Sequence, residues 1–342
     1  MKIRAHKIAS VTRNLVPQEM EITEQMEARE GNLLVVKALE EKLVYDRLEL
    51  TTGRMAKIAK DDVIVGALGG RKALKGFMGK VPESVRRGDV LHILNLGGVI
   101  GVATSGNPEV GNPLRVEVLG MPVVNGKIVN IAQDAIPWVQ SLSSCPPLVV
   151  VAGTCMSSGK TQAATEIIQK LTEKRYKVVG AKVTGVACLR DTLNMMDHGA
   201  LAALSFLDAG LPSTTRITNV APIAKGLFKE LARLHPDVIV VELGDGIIGG
   251  YNVPSFLKDP ELQGYSRVYV MCANDLVGAW GAVELMRQFY LEISVMTGPA
   301  TDAEVGKEYI ENHLKIPAAN ARLEPRKLAE LVEKKLWLGS VL

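Results

Sequence analysis

The stretch Val151-Ala152-Gly153-Thr154-Cys155-Met156-Ser157-Ser158-Gly159-Lys160-Thr161 decides the reading of this chain. Before it runs the apolar segment Leu148-Val149-Val150-Val151-Ala152, and after it Ala164, Ile167, Ile168 and Leu171 fall at the i, i+3, i+4, i+7 spacing of an amphipathic helix. A glycine-bearing loop between a buried strand and a helix start turns its backbone N–H groups towards an anion, and the helix N-terminus adds partial positive charge. Lys160 is placed to reach the β- and γ-phosphates of a nucleotide, and the Thr161 hydroxyl to ligate Mg²⁺. A plain turn has no use for the adjacent Lys-Thr pair. Gly153, Thr154, Cys155, Met156, Ser157, Ser158, Gly159, Lys160 and Thr161 are therefore the candidate nucleotide contacts. Five residues separate Gly153 from Gly159, one more than in the usual phosphate-loop pattern.

Outward from the loop, strand and helix signals alternate. Apolar runs at Lys177–Thr184, Val238–Val241, Val268–Met271 and Ile293–Met296 are each followed by a loop and a helical pattern, the form of βαβ units in a parallel sheet. Thr301-Asp302-Ala303-Glu304 has capping-box spacing, and Pro325 suits the first turn of a last helix with Leu328, Leu331 and Val332 inward. Before the loop the pattern differs. Residues 17–30 are acidic and helix-compatible. Short apolar runs then alternate with turn chemistry such as Gly69-Gly70, Arg87-Gly88-Asp89 and Gly106-Asn107-Pro108, which suggests a small β-rich, barrel-like domain. The polar, proline-ended segment Ser141-Leu142-Ser143-Ser144-Cys145-Pro146-Pro147 places the boundary, giving domains of residues 1–146 and 147–342. The expected fold is α/β: a mostly parallel sheet of P-loop NTPase type with flanking helices, preceded by a smaller β-rich domain.

Composition sets limits on function. The 342 residues carry 40 Lys+Arg against 37 Asp+Glu, a formal charge of +3, which gives no general attraction to nucleic acid or anionic membrane. A local patch is the exception: nine Lys/Arg lie between Arg54 and Arg87 against Asp61, Asp62 and Glu83, although Phe77 alone in that stretch can stack on a base. No run approaches a membrane-spanning length, and the N-terminus carries charge where a secretory signal needs apolar residues. Cys145, Cys155, Cys188 and Cys272 form no Cys-x-x-Cys pair, so a cytoplasmic setting without disulfides or structural zinc is expected. Cys155 stands apart because it lies within the loop, where alkylation should interfere with nucleotide binding.

The loop Gly-Thr-x-x-x-x-Gly-Lys-Thr resembles that of the dethiobiotin synthetase type within the SIMIBI class of P-loop NTPases; the signature lysine of the MinD type has no counterpart. The resemblance extends over roughly residues 148–320. Gly180-Ala181-Lys182-Val183-Thr184-Gly185 is similar to a second-strand segment whose lysine contacts phosphate or substrate. Asp197-His198-Gly199-Ala200 falls where the family supplies an acidic Mg²⁺ ligand, and Val240-Val241-Glu242-Leu243-Gly244-Asp245-Gly246 resembles a strand end whose Glu faces the metal. A second echo is to a related family that contains D-glutamate N-acetyltransferases, which also carry a domain ahead of a long phosphate loop. Their loop has Asp-Cys where this chain has Cys155-Met156.

The residues converge without the family as well, since ligands of open parallel sheets bind at the carboxyl ends of strands. Lys160, Thr161, Lys182, Asp197 and Glu242 all fall at such ends or in the loops after them, with Asp191 the rival of Asp197 and helix capping the ordinary use of either. The leading expectation is an enzyme using ATP and Mg²⁺ to move a γ-phosphoryl group to a small anionic acceptor, as kinase or carboxylate-activating ligase. Lys160, Lys182 and Glu242 would be its catalytic residues, and Thr161, Asp197 and Glu242 its metal contacts. ATP is favoured over GTP because Cys272-Ala273-Asn274-Asp275-Leu276 lacks the lysine of the usual guanine-reading motif, and residues 296–302 with 316–320 are placed to hold the base. The alternatives are an acyl-CoA-dependent N-acetyltransferase, a polynucleotide kinase, and a non-catalytic nucleotide-dependent switch. Self-association is left open.

Overall fold

The computed structural model describes residues 1–337; residues 338–342, the end of the expected second domain, lie outside the described residues. The chain forms two compact units. The first contains Met1–Ile136 together with Val186–Arg190 and Phe206–Arg216; the second contains Pro137–Gly185, Asp191–Ser205 and the chain from Ile217 onward. The units part between Ile136 and Pro137, ahead of the break read at 146/147. Two later segments also return to the first unit, which no composition shift announces. In that unit the wholly buried Glu49 carboxylate accepts the N–H groups of Leu189 and Arg190 at 2.7 and 2.8 Å, which satisfies a charge that burial alone would disfavour.

In the second unit, six strands pair side by side, every pairing parallel, in the order Ala203–Ser205, Val178–Thr184, Val238–Leu243, Leu148–Gly153, Ser266–Cys272, Val295–Thr297. The edge strand Ala203–Ser205 was not among the expected runs; at three residues it is too short to show a period. The central strands are apolar along their whole length because helices cover the sheet on both faces. On one face Val149, Val151, Val238, Val240, Val268 and Val270 pack with Ile167, Ile168 and Leu171 of helix Lys160–Glu173 and Leu328 and Val332 of helix Pro325–Trp337. Pro325 opens that last helix as the sequence suggests. The capping box does not form: the Thr301 hydroxyl donates to the Gly298 carbonyl within a short 3₁₀ turn, and helix Glu304–Tyr309 starts after Ala303 without a side-chain cap.

In the first unit, five strands close into a ring. Leu33–Ala38 pairs with Val63–Leu68, Val63–Leu68 with Val99–Gly106 in parallel, Val99–Gly106 with Val90–Ile93, Val90–Ile93 with Leu114–Val124, and Leu114–Val124 with Leu33–Ala38. Closure leaves no exposed edge in the ring. Residues 17–30 contain no helix. They include the strand Glu19–Thr23, in which Met20 and Ile22 are buried while Glu19 and Glu21 are exposed, a period of two that overrides the acidic composition. The basic stretch is not one cationic face either. Arg71 is buried and donates to the Tyr45 hydroxyl, Arg87 is bonded to Glu24, and Lys57 lies 3.7 Å from Glu41.

Candidate functional site

The loop after strand Leu148–Gly153 is built around one lysine. The Lys160 ammonium curls back over the loop, donating to the Cys155 carbonyl at 2.7 Å and lying 3.3 Å from the Ser158 hydroxyl. Its stem passes so close to Gly153 that a Cβ there would lie 2.9 Å from Lys160 Cγ and 2.3 Å from Ser158 Oγ, which is why this position takes glycine. Gly159, at φ 90°, supplies the left-handed turn that starts helix Lys160–Glu173. The loop is also held from outside. The Ile247 N–H donates to the Gly153 carbonyl at 2.9 Å, the Thr154 N–H to the Cys272 carbonyl at 2.9 Å, and the Asn274 N–H to the Thr154 hydroxyl at 3.3 Å. Burial holds the Lys160 ammonium below its ordinary pKa, with Glu242 acting in the opposite direction. The neighbouring Cys272 thiol is pushed up to about 12 by burial.

Beside the lysine runs a chain of polar groups. Lys182 and Glu242 are register partners on adjacent parallel strands, and the Lys182 ammonium lies 2.7 Å from Glu242 Oε1. The Thr161 hydroxyl donates to the same oxygen at 3.0 Å. Lys182 also lies 2.8 Å from Asp191 Oδ2. Burial disfavours the Lys182 charge, but Asp191 and Glu242 together outweigh it and hold the ammonium above its ordinary pKa. Glu242 Oε2 is buried with no hydrogen-bond partner among the described residues.

The structure brings together Lys160, Thr161, Lys182 and Glu242. It does not bring in Asp197. That residue ends helix Arg190–Asp197 and is exposed, whereas Asp191 stands in the first turn and meets Lys182. The six intervening steps carry Asp197 about 9 Å along the helix axis. The signal was in the chain: a helix that follows a parallel strand by a short loop keeps its first turn, not its last, at the strand's carboxyl end. His198, the residue after Asp197, has its ring Nδ1 2.7 Å from the Asn194 carbonyl. On the other side of the loop, a Cβ on Gly298 would lie 2.5 Å from the Ser158 carbonyl oxygen, and Asn320 donates to Thr301 at 3.1 Å and to Asp302 at 2.8 Å. Residues 298–302 and 320 are thus joined, with Gly298 seated beside the phosphate loop. The Asp275 carboxylate accepts the Gly278 N–H at 2.7 Å as the cap of helix Leu276–Gln288.

Magnesium fits these residues. Among the described residues no group of three or more His, Cys, Asp or Glu could hold a metal, but Mg²⁺ is commonly held by one or two carboxylates with phosphate oxygens and water. The orphaned Glu242 Oε2 and the adjacent Thr161 hydroxyl supply such a partial set.

No family model matches the chain, and no curated protein matches it. Among solved structures, the cell division protein FtsY of Thermotoga maritima aligns with 59% of this chain and 74% of its own length, at 14% identity and a TM-score of 0.39. Chloroplast FtsY of Physcomitrella patens aligns with 59% of this chain and 70% of its own, at 12% identity and 0.37. The signal recognition particle 54 kDa protein of Aeropyrum pernix K1, in complex with GDP, aligns with 57% of this chain and 50% of its own, at 15% identity and 0.37. Similarity at this level says nothing about the ligand or reaction of this chain. Its α/β fold of P-loop NTPase type rests on its own parallel sheet and phosphate loop, and no helix among the described residues is long and apolar enough to cross a membrane.

Proposed function

We propose that the second unit binds a nucleoside triphosphate with Mg²⁺ at residues 153–161 and cleaves its terminal phosphoanhydride, working as a nucleotide-dependent switch. The observation that carries this reading is the Thr161–Glu242–Lys182–Asp191 chain beside Lys160, with one Glu242 oxygen left without a partner among the described residues. Lys160 would exchange its bond to the Cys155 carbonyl for phosphate oxygens, where its charge opposes the charge developing during cleavage. Thr161 and Glu242 would hold the metal, which when bound neutralises phosphate charge. Asp191 and Glu242 keep Lys182 charged and fixed at the edge of the site.

Lys182 also bears on the choice of acceptor. Both carboxylates engage its ammonium, so an anionic acceptor would require its release from them, whereas water as acceptor requires none. Transfer to a small anionic acceptor is the second reading. It is supported by the place of Lys182 at a strand end, where release from Glu242 and Asp191 would present an ammonium to such a molecule. ATP is proposed over GTP because the Asp275 carboxylate is spent on capping a helix rather than offered to a guanine. A cytoplasmic setting is proposed from the four free cysteines.

Thermal unfolding with ATP, GTP and CoA, each with and without Mg²⁺, tests binding. Stabilisation by a triphosphate that needs Mg²⁺ and is lost in Lys160→Ala is expected; stabilisation by CoA alone would favour acyl transfer and overturn the reading. Labelled γ-phosphate recovered as inorganic phosphate supports the switch, and label recovered on a small molecule supports the second reading.

A further inference from the structure

The first unit contains a cavity of about 700 Å³ where strands Val90–Ile93, Val99–Gly106 and Leu114–Val124 meet the segment after Leu33–Ala38. It is lined by Glu40, Lys42, His92, Thr104, Ser105 and Arg115 among others. Its size suits a small molecule, and its lining is polar rather than aliphatic.

The charges in it are unevenly matched. Arg115 is engaged by Glu40, with Nη2 at 2.8 Å and Nε at 3.2 Å from one carboxylate oxygen, so these two offset each other. Lys42 has no such partner. Its ammonium donates to the Val110 carbonyl at 3.0 Å and lies 5.1 Å from the centre of the Phe77 ring, with no carboxylate of the described residues at ion-pair distance. Burial lowers its pKa, the direction expected of an ammonium partly withdrawn from water, and Glu40 counters only in part. The carbonyl and the ring fix the side chain while leaving donor capacity on the nitrogen. His92 is a neutral wall of the cavity: its Nδ1 accepts the Ala103 N–H at 3.3 Å, and burial disfavours the charged ring, with a bond to the Gly101 backbone acting in the opposite direction. The cavity therefore carries one uncompensated positive charge, with the Thr104 and Ser105 hydroxyls in the same lining.

We infer that this cavity binds a small molecule bearing an oxyanion, a carboxylate or a phosphate group, with Lys42 as its counter-charge and the Thr104 and Ser105 hydroxyls as neutral donors. The inference is independent of the nucleotide reading, since every residue named belongs to the first unit.

The test is equilibrium dialysis of the full chain against inorganic phosphate and, separately, succinate. Lys160→Ala is the starting protein, which weakens anion binding at the phosphate loop, and the change made by a further substitution at Lys42 reports the first-unit cavity. One equivalent of one probe is expected to bind, and addition of Lys42→Gln is expected to weaken it about tenfold or more while Lys42→Arg retains it. Phosphate bound with succinate silent names a phosphate ligand, and the reverse names a carboxylate. Ser105→Ala, at an exposed position, gives a second reading should Lys42→Gln fold poorly, with weakened binding expected. Absence of binding by both probes, or binding unchanged in both Lys42→Gln and Ser105→Ala, overturns the inference.

Discussion

Replacing Lys182 by Met removes the cation that two carboxylates share at 2.7 and 2.8 Å. The Glu242 side chain is 1% exposed and that of Asp191 18%, so water replaces little of what is lost. The buried cluster changes from two negative charges and one positive to two negative charges alone. Breaking a buried ion pair by removing one partner costs about 3–5 kcal/mol. For a unit of this size that corresponds to a fall of roughly 6–20 °C in the unfolding temperature. The sign with pH follows from the direction of the Lys182 shift. Its pKa is raised in the folded protein, so the stability it contributes is fully present below its ordinary value of 10.5 and is lost only as pH rises through the folded value. The wild type should therefore show no loss from this group near neutrality. Mg²⁺ should narrow the deficit of Lys182→Met, because a divalent cation takes the place of the missing charge. The assay is urea unfolding of the full chain at several pH values, with and without Mg²⁺. A variant as stable as wild type, or a deficit that Mg²⁺ leaves unchanged, would refute the reasoning.

Other outcomes follow from the same geometry. Asp191→Asn should weaken Mg²⁺-dependent nucleotide stabilisation, and Asp197→Asn should leave it unchanged; the reverse order in a thermal titration would restore Asp197 as the metal-side acid. Iodoacetamide should modify Cys155 in its half-exposed loop and reduce nucleotide binding, while Cys272, buried and with its thiol pushed up to about 12, should stay unmodified on peptide mapping. Asp275→Ala removes the cap of helix Leu276–Gln288 and should cost about 1 kcal/mol in chemical unfolding, with no change in triphosphate binding.

The local features of this chain were legible because they repeat at short range. A phosphate loop is a run of adjacent residues whose backbone does the binding, so Gly153 to Thr161 could be read directly, and the helix after it announced itself through a 3.6-residue period. Four of the five strands after the loop showed as apolar runs, as did Leu148–Gly153 ahead of it, because a strand covered on both faces is apolar throughout. What the sequence by itself determined was therefore the chemistry of the loop and the alternation that builds the sheet around it. Tertiary structure alone decided which charges meet. Lys182, Asp191 and Glu242 become neighbours through strand register and the direction of one helix, and Asp197 is carried away by that same helix. The ring of five strands, the return of residues 186–190 and 206–216 to the first unit, and the place of Lys42 beside the Val110 carbonyl and the Phe77 ring also depend on pairings between residues far apart in the chain. No local period encodes such pairings, because what fixes them is the burial they achieve together.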